Sequence, residues 1–132
     1  MMDKSEVINL VSGIALSFLN AKAVPPQQDG FTSVYDDGNE TMFVMPSREA
    51  LISGVYMKTA TVRSIFKGYP NDGVKVEGKY IVNCQNRKYA IDYVEKRNKA
   101  GELLDSQHAT FRTWYDADDK ALANMIDFVC KV

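Results

Sequence analysis

From Val74 to Cys84 the side chains alternate in polarity: Val74, Val76, Tyr80, Val82 and Cys84 lie on one parity, and Lys75, Glu77, Lys79, Ile81 and Asn83 on the other. A period of two is the signature of a strand with one face buried, so Cys84 is expected to point inward. Tyr89, Ile91 and Tyr93 continue the pattern against Lys88, Ala90 and Asp92, and the stretch from Arg97 to Gly101 reads as a turn. Glu102 to Ser106 and Ala109 to Tyr115 supply a return strand, interrupted near Gln107. Upstream, Thr41 to Met45 reads as a strand ended by Pro46-Ser47-Arg48-Glu49. Ile52 to Phe66, rich in Val, Thr, Tyr and Ile, reads as one long bent strand or two. Asp29-Gly30, Asp36-Asp37-Gly38 and Asn71-Asp72-Gly73 are turn signals that keep these pieces short.

At Asp116-Ala117-Asp118-Asp119 the period changes. Asp116 or Asp118 can cap a helix, and Asp119 suits the positive end of the helix dipole. Leu122, Ile126, Val129 and Cys130 then share one face, with Met125 beside them, which predicts a helix of about 14 residues. The expected fold is α+β: an antiparallel meander of five or six strands covered by a C-terminal helix. Its two inward thiols, Cys84 and Cys130, sit on the sheet and on the element that covers it. A disulfide between them would clamp helix to sheet and would persist only in an oxidising compartment. The alternative is two free buried cysteines in a cytosolic chain.

The first 23 residues form a separate segment. Val7 to Leu19 is mostly apolar, too short to span a bilayer, and followed by Ala21-Lys22-Ala23 and then Val24-Pro25-Pro26. That is the layout of a secretory signal peptide, although Asp3 and Glu6 offset Lys4 in the region that is usually basic. Val7, Leu10, Val11, Ile14 and Phe18 also fit the stripe of a buried N-terminal helix. Residues 24–132 then make a single domain. With 132 residues, 45% apolar and 25% charged, the chain has an ordinary globular composition. Its net charge of −1 gives no global reason to expect a nucleic-acid partner.

The run Tyr80-Ile81-Val82-Asn83-Cys84, the strand after it, the Gly-containing turn, the Trp-bearing strand and the amphipathic helix ending in Cys130 resemble the surface-adhesin protein E family of Gram-negative bacteria. The resemblance covers roughly residues 31–130, and its specific part is the pair of cysteines with the material between them. It implies a small exported domain, periplasmic or secreted, whose sheet and last helix are joined by a disulfide. Asp116-Ala117-Asp118-Asp119 departs from the lead into the last helix that many members have. No cysteine follows the N-terminal apolar run, so the lipid anchor of some members is not expected. Adhesion is the function the resemblance implies, yet a fold does not carry a function with it.

Candidate chemistry is sparse. His108 is the only histidine, which argues against a His-rich metal site. Asp36, Asp37 and Glu40, and Asp116, Asp118 and Asp119, lack the spacing of a calcium loop and read as turn and cap residues. No phosphate-binding glycine loop, nucleophile elbow or zinc-protease motif is present. The sequence therefore points to no catalytic residue, no metal and no cofactor. The one local charge bias is Arg87, Lys88, Lys96, Arg97 and Lys99 around a single hairpin, with Tyr93 and Tyr115 near it. Such a patch suits an acidic glycan or an acidic protein segment. The expected function is an adhesin-like exported binding protein that holds a protein or glycan, or pairs with a second copy of itself. An inhibitor or immunity-type protein of the periplasm is the first alternative, and a small enzyme without a recognisable motif the second.

Overall fold

A computed structural model describes residues 27–28 and 30–131. The N-terminal run expected to be a signal or a helix lies outside these residues. The chain forms β1 (Gln27–Gln28), β2 (Phe31–Asp36), β3 (Glu40–Ile52), β4 (Val55–Phe66), β5 (Lys75–Asn83), β6 (Lys88–Arg97), β7 (Leu103–His108) and β8 (Tyr115–Asp116), followed by helix α1 (Lys120–Lys131). All strands pair antiparallel in the order β1 to β7, and β8 pairs with β6. The six strands β2 to β7 are the expected meander, and the C-terminal helix covers one of its faces.

Helix and sheet meet through a core that includes Val82, Tyr89, Met125, Ile126 and Val129, which the two periodicities selected, while Leu122 and Cys130 only border it. Met42, Val44, Ala60, Val62, Val82 and Tyr89 from the sheet enclose Ala121, Met125, Ile126 and Val129 from α1. Met125, Ile126 and Val129 are fully buried. Burial of side chains of this size stabilises by roughly 1.5–3 kcal/mol each. The helix is capped by Asp119, not by Asp116 or Asp118: its Oδ1 accepts the Leu122 N–H at 2.8 Å, and its carbonyl takes the Ala123 N–H. Only Asp119 sits immediately before the first helical residue, where a carboxylate can reach the third N–H of the helix.

Cys84, just past β5, is bonded to Cys130 in the last turn of α1, with Cα atoms 5.7 Å apart. Arg87 donates to Asp127 at 2.7 Å beside it, which ties the same end of the helix to the β5–β6 turn. Farther along, Asn124 Nδ2 donates to the Val34 carbonyl at 2.9 Å, where the β2–β3 register skips Val34. The helix is thus held at a covalent point and two polar ones.

Three sequence readings change. Pro46 does not end its strand: β3 continues to Ile52, with a register shift between Pro46 and Glu49 that absorbs the missing N–H of proline. Ser53 and Gly54, both at positive φ, close the two-residue turn to β4, which matches the twist of a tight hairpin. Tyr93 leaves the helix side, because Lys79 pairs with Tyr93 while Tyr80 pairs with Ile91. The extra residue, Asp92, flips everything that follows it in β6 to the opposite face.

The return strand is also shorter than expected. β7 ends at His108, residues 109–114 leave the sheet, and β8 rejoins the same edge of β6 at Lys88 and Tyr89. The departure leaves a notch on the edge of β6 between β7 and β8.

Candidate functional site

The seven residues proposed from sequence as a patch do not converge. Arg87 pairs with Asp127, Lys88 with Asp116 at 2.6 Å and Lys99 with Asp72 at 3.4 Å. Lys88 and Arg97 stand nine residues apart on one strand, which is about 30 Å at the ordinary rise of a β-strand. Lys96 is paired in register with Asp105 on the other side of the sheet from Arg97. Only Tyr93 and Arg97 come together. Both donate to Glu95, Tyr93 through its hydroxyl and Arg97 through Nε, each at 2.8 Å. The Arg97 guanidinium, with Tyr93 assisting, holds the Glu95 carboxyl below the usual carboxylate range. The same hydrogen bond raises the Tyr93 phenol. Tyr115 lies instead against Tyr89, with ring centroids 5.6 Å apart. Tyr89 in turn stacks on Tyr80, whose hydroxyl burial pushes up to about 12.

Three cavities border the point where residues 109–114 leave the sheet. The first, of about 230 Å³, lies in the notch and is lined by Ile91, Val94, His108, Phe111, Thr113 and Tyr115, among others. Phe111 is 81% exposed and Tyr115 47%, and Leu103 and Leu104 of β7 are about half exposed on the same edge. Every residue of β7 is exposed. His108 lies tilted against the Tyr93 ring, with centroids 4.4 Å apart, so the lone histidine is a surface aromatic at the rim of this notch.

The second cavity, of about 240 Å³, opens on the face away from the helix. Ser47, Ala50 and Ile52 reach it from the end of β3, Thr59 and Thr61 from β4, and Lys79 and Ile81 from β5. Asp92 and Arg112 close the far side. The register shift between Pro46 and Glu49 lies beside Ser47 and Ala50, which reach this cavity. Lys79 Nζ donates to Thr61 Oγ1 at 3.1 Å, and Arg112 makes a bidentate pair with Asp92 at 3.1 and 3.2 Å. Phe111 lines the notch and Arg112 the second cavity, and both border a third of about 370 Å³ with Asp92, Ala109 and Thr110.

Sequence reasoning missed Phe111, Arg112, Lys79 and Thr61 as site residues. The first two sat in a stretch read as strand. Lys79 and Thr61 became neighbours only through the β4–β5 register. No period along the chain reports that register.

Among the described residues no group of three or more His, Cys, Asp or Glu side chains is placed to hold a metal ion. None of their helices is long and apolar enough to cross a membrane. The chain matches no family model, no curated protein and no solved structure.

Proposed function

We propose that this chain is an exported, non-enzymatic binding module of the surface-adhesin E type, periplasmic or secreted, whose partner is an acidic glycan. The observation that carries the reading is the edge of β6. There Phe111 of the loop 109–114 and Tyr115 of β8 present exposed rings over a notch that also holds His108, Gln107 and Thr113. Flat apolar rings beside a few polar groups bind the faces and hydroxyls of a sugar, while cations on the next face accept its charged substituents. The Cys84–Cys130 bond supports the compartment, since such bonds persist outside the reducing cytosol.

The test is an array of sulfated, uronate-containing and neutral glycans probed with the oxidised protein and with a Phe111→Ala/Tyr115→Ala variant. Retention on acidic glycans that falls at least tenfold in the variant supports the reading. Equal retention by the variant, or no retention on any acidic glycan, overturns it. Capture of an acidic protein in place of glycan would move the module to the inhibitor-type alternative.

A further inference from the structure

We infer that the cavity beneath Arg112 is a specific subsite for one acidic sugar unit, a single ring bearing a sulfate or carboxylate, with Lys79 as the residue that takes its charge. The inference deepens the glycan-binding reading and rests on it.

The argument begins from the charge balance. Lys79 has a hydroxyl, Thr61 Oγ1, as its hydrogen-bond partner. Among the described residues no carboxylate pairs with its ammonium, whereas Arg112 in the same cavity is already neutralised by Asp92. The cavity thus has an excess of one positive charge at Lys79. An ammonium has three donors, and one goes to Thr61. The other two are available to an anion entering from the open side. Thr61 accepts from Lys79, and its own O–H remains to donate to the same anion. Thr59 is committed, because its hydroxyl donates to the Arg48 carbonyl and accepts from the Arg48 N–H.

The remaining lining sets the class of ligand. Ala50, Ile52 and Ile81 provide an apolar wall and Ser47 a hydroxyl, while Asp92, across from Lys79 and Tyr80 in the β5–β6 register, is held by Arg112. A volume of about 240 Å³ is below the usual 300–1,000 Å³ of drug-sized sites and admits one ring, not a folded protein segment. A bare inorganic anion would leave the apolar wall unused. One ring with an anionic substituent sets its charge on Lys79 and Thr61 and its apolar face against Ala50, Ile52 and Ile81.

An amide-resolved NMR titration of the oxidised chain, followed by affinity measurements on variants, decides the matter. The probes are a sulfated heparin disaccharide, glucuronic acid, N-acetylglucosamine, inorganic sulfate and a hexaglutamate peptide. The disaccharide or the uronate should shift the amides of Thr61, Lys79, Ile81 and Arg112. Lys79→Gln, at an exposed position, should weaken that binding roughly tenfold or more, the expected loss of a charge-assisted contact, and Thr61→Val should weaken it less. Lys99→Gln should leave it unchanged. Shifts elsewhere, equal affinity for N-acetylglucosamine or for sulfate alone, tighter binding of hexaglutamate, or full affinity in Lys79→Gln would each overturn the subsite. If acidic glycans are retained by the whole protein but ignore Lys79, the subsite fails and the glycan-binding reading stands. If none is retained, both fail.

Discussion

Opening the Cys84–Cys130 bond should cost this domain a large share of its stability. The two residues are 46 positions apart. Closing a loop of that size removes enough unfolded-chain entropy to stabilise the native state by about 4 kcal/mol on the chain-entropy account. A domain of this size has a total of roughly 5–15 kcal/mol. The bond holds the last turn of α1, whose Met125, Ile126 and Val129 are the fully buried part of the helix side of the core. Its loss therefore removes the constraint where the helix seals that core. Urea unfolding of the oxidised protein and of a Cys84→Ser/Cys130→Ser variant, followed by far-UV circular dichroism and Trp114 fluorescence, measures the difference. With a denaturant slope of about 1.5 kcal/mol/M the midpoint should fall by roughly 2–3 M. Thermal midpoints should fall by about 15–30 °C. A loss below about 1 kcal/mol would refute the reasoning, because it would show that the unfolded chain gains little freedom when the bond is absent.

Three further outcomes follow from single contacts. Asp119→Ala removes the carboxylate that accepts the Leu122 N–H, and should lower stability by about 1 kcal/mol in the same urea assay. Gly78→Ala places a Cβ 2.8 Å from Tyr80 Cε1 and 3.0 Å from the Tyr93 carbonyl oxygen, so it should destabilise by about 1–3 kcal/mol; a neutral result would mean that the Tyr80 ring moves freely. Glu95 has its folded-state pKa depressed by Arg97 and Tyr93, so its contribution is present above the ordinary carboxylate pKa and lost as pH falls through the lower folded value. The drop in urea midpoint between pH 6 and pH 3 should accordingly be smaller in Glu95→Gln than in the wild type.

The parts of the fold that follow from local period were legible in the sequence. Val76, Tyr80 and Val82 against Glu77 and Lys79 place β5 and its buried face. The stripe of Met125, Ile126 and Val129 places α1 over it. Both rest on side-chain spacing that burial enforces directly. What the sequence did not show depends on one inserted residue or on pairing across strands. Asp92 moved Tyr93 to the face of Glu95 and Arg97, and no local signal distinguishes that residue from its neighbours. The candidate patch dissolved for a related reason: Arg87, Lys88, Lys96, Arg97 and Lys99 are near in sequence, yet an extended strand separates them by several residues of rise and alternates their faces. Arg112 and Lys79 came together because β4, β5 and β6 lie side by side. Loop 109–114 alternates enough to read as strand, and it leaves the sheet although its composition does not announce it.

The central claim is that the helix-to-sheet clamp belongs to an exported chain. The intact mass of the protein purified from its native host, taken with and without reductant and an alkylating agent, tests it most directly. The claim predicts a chain beginning at Val24 that takes up no alkyl group until it is reduced, and then takes up two. A chain beginning at Met1 or Met2 that is alkylated twice without reductant would contradict it.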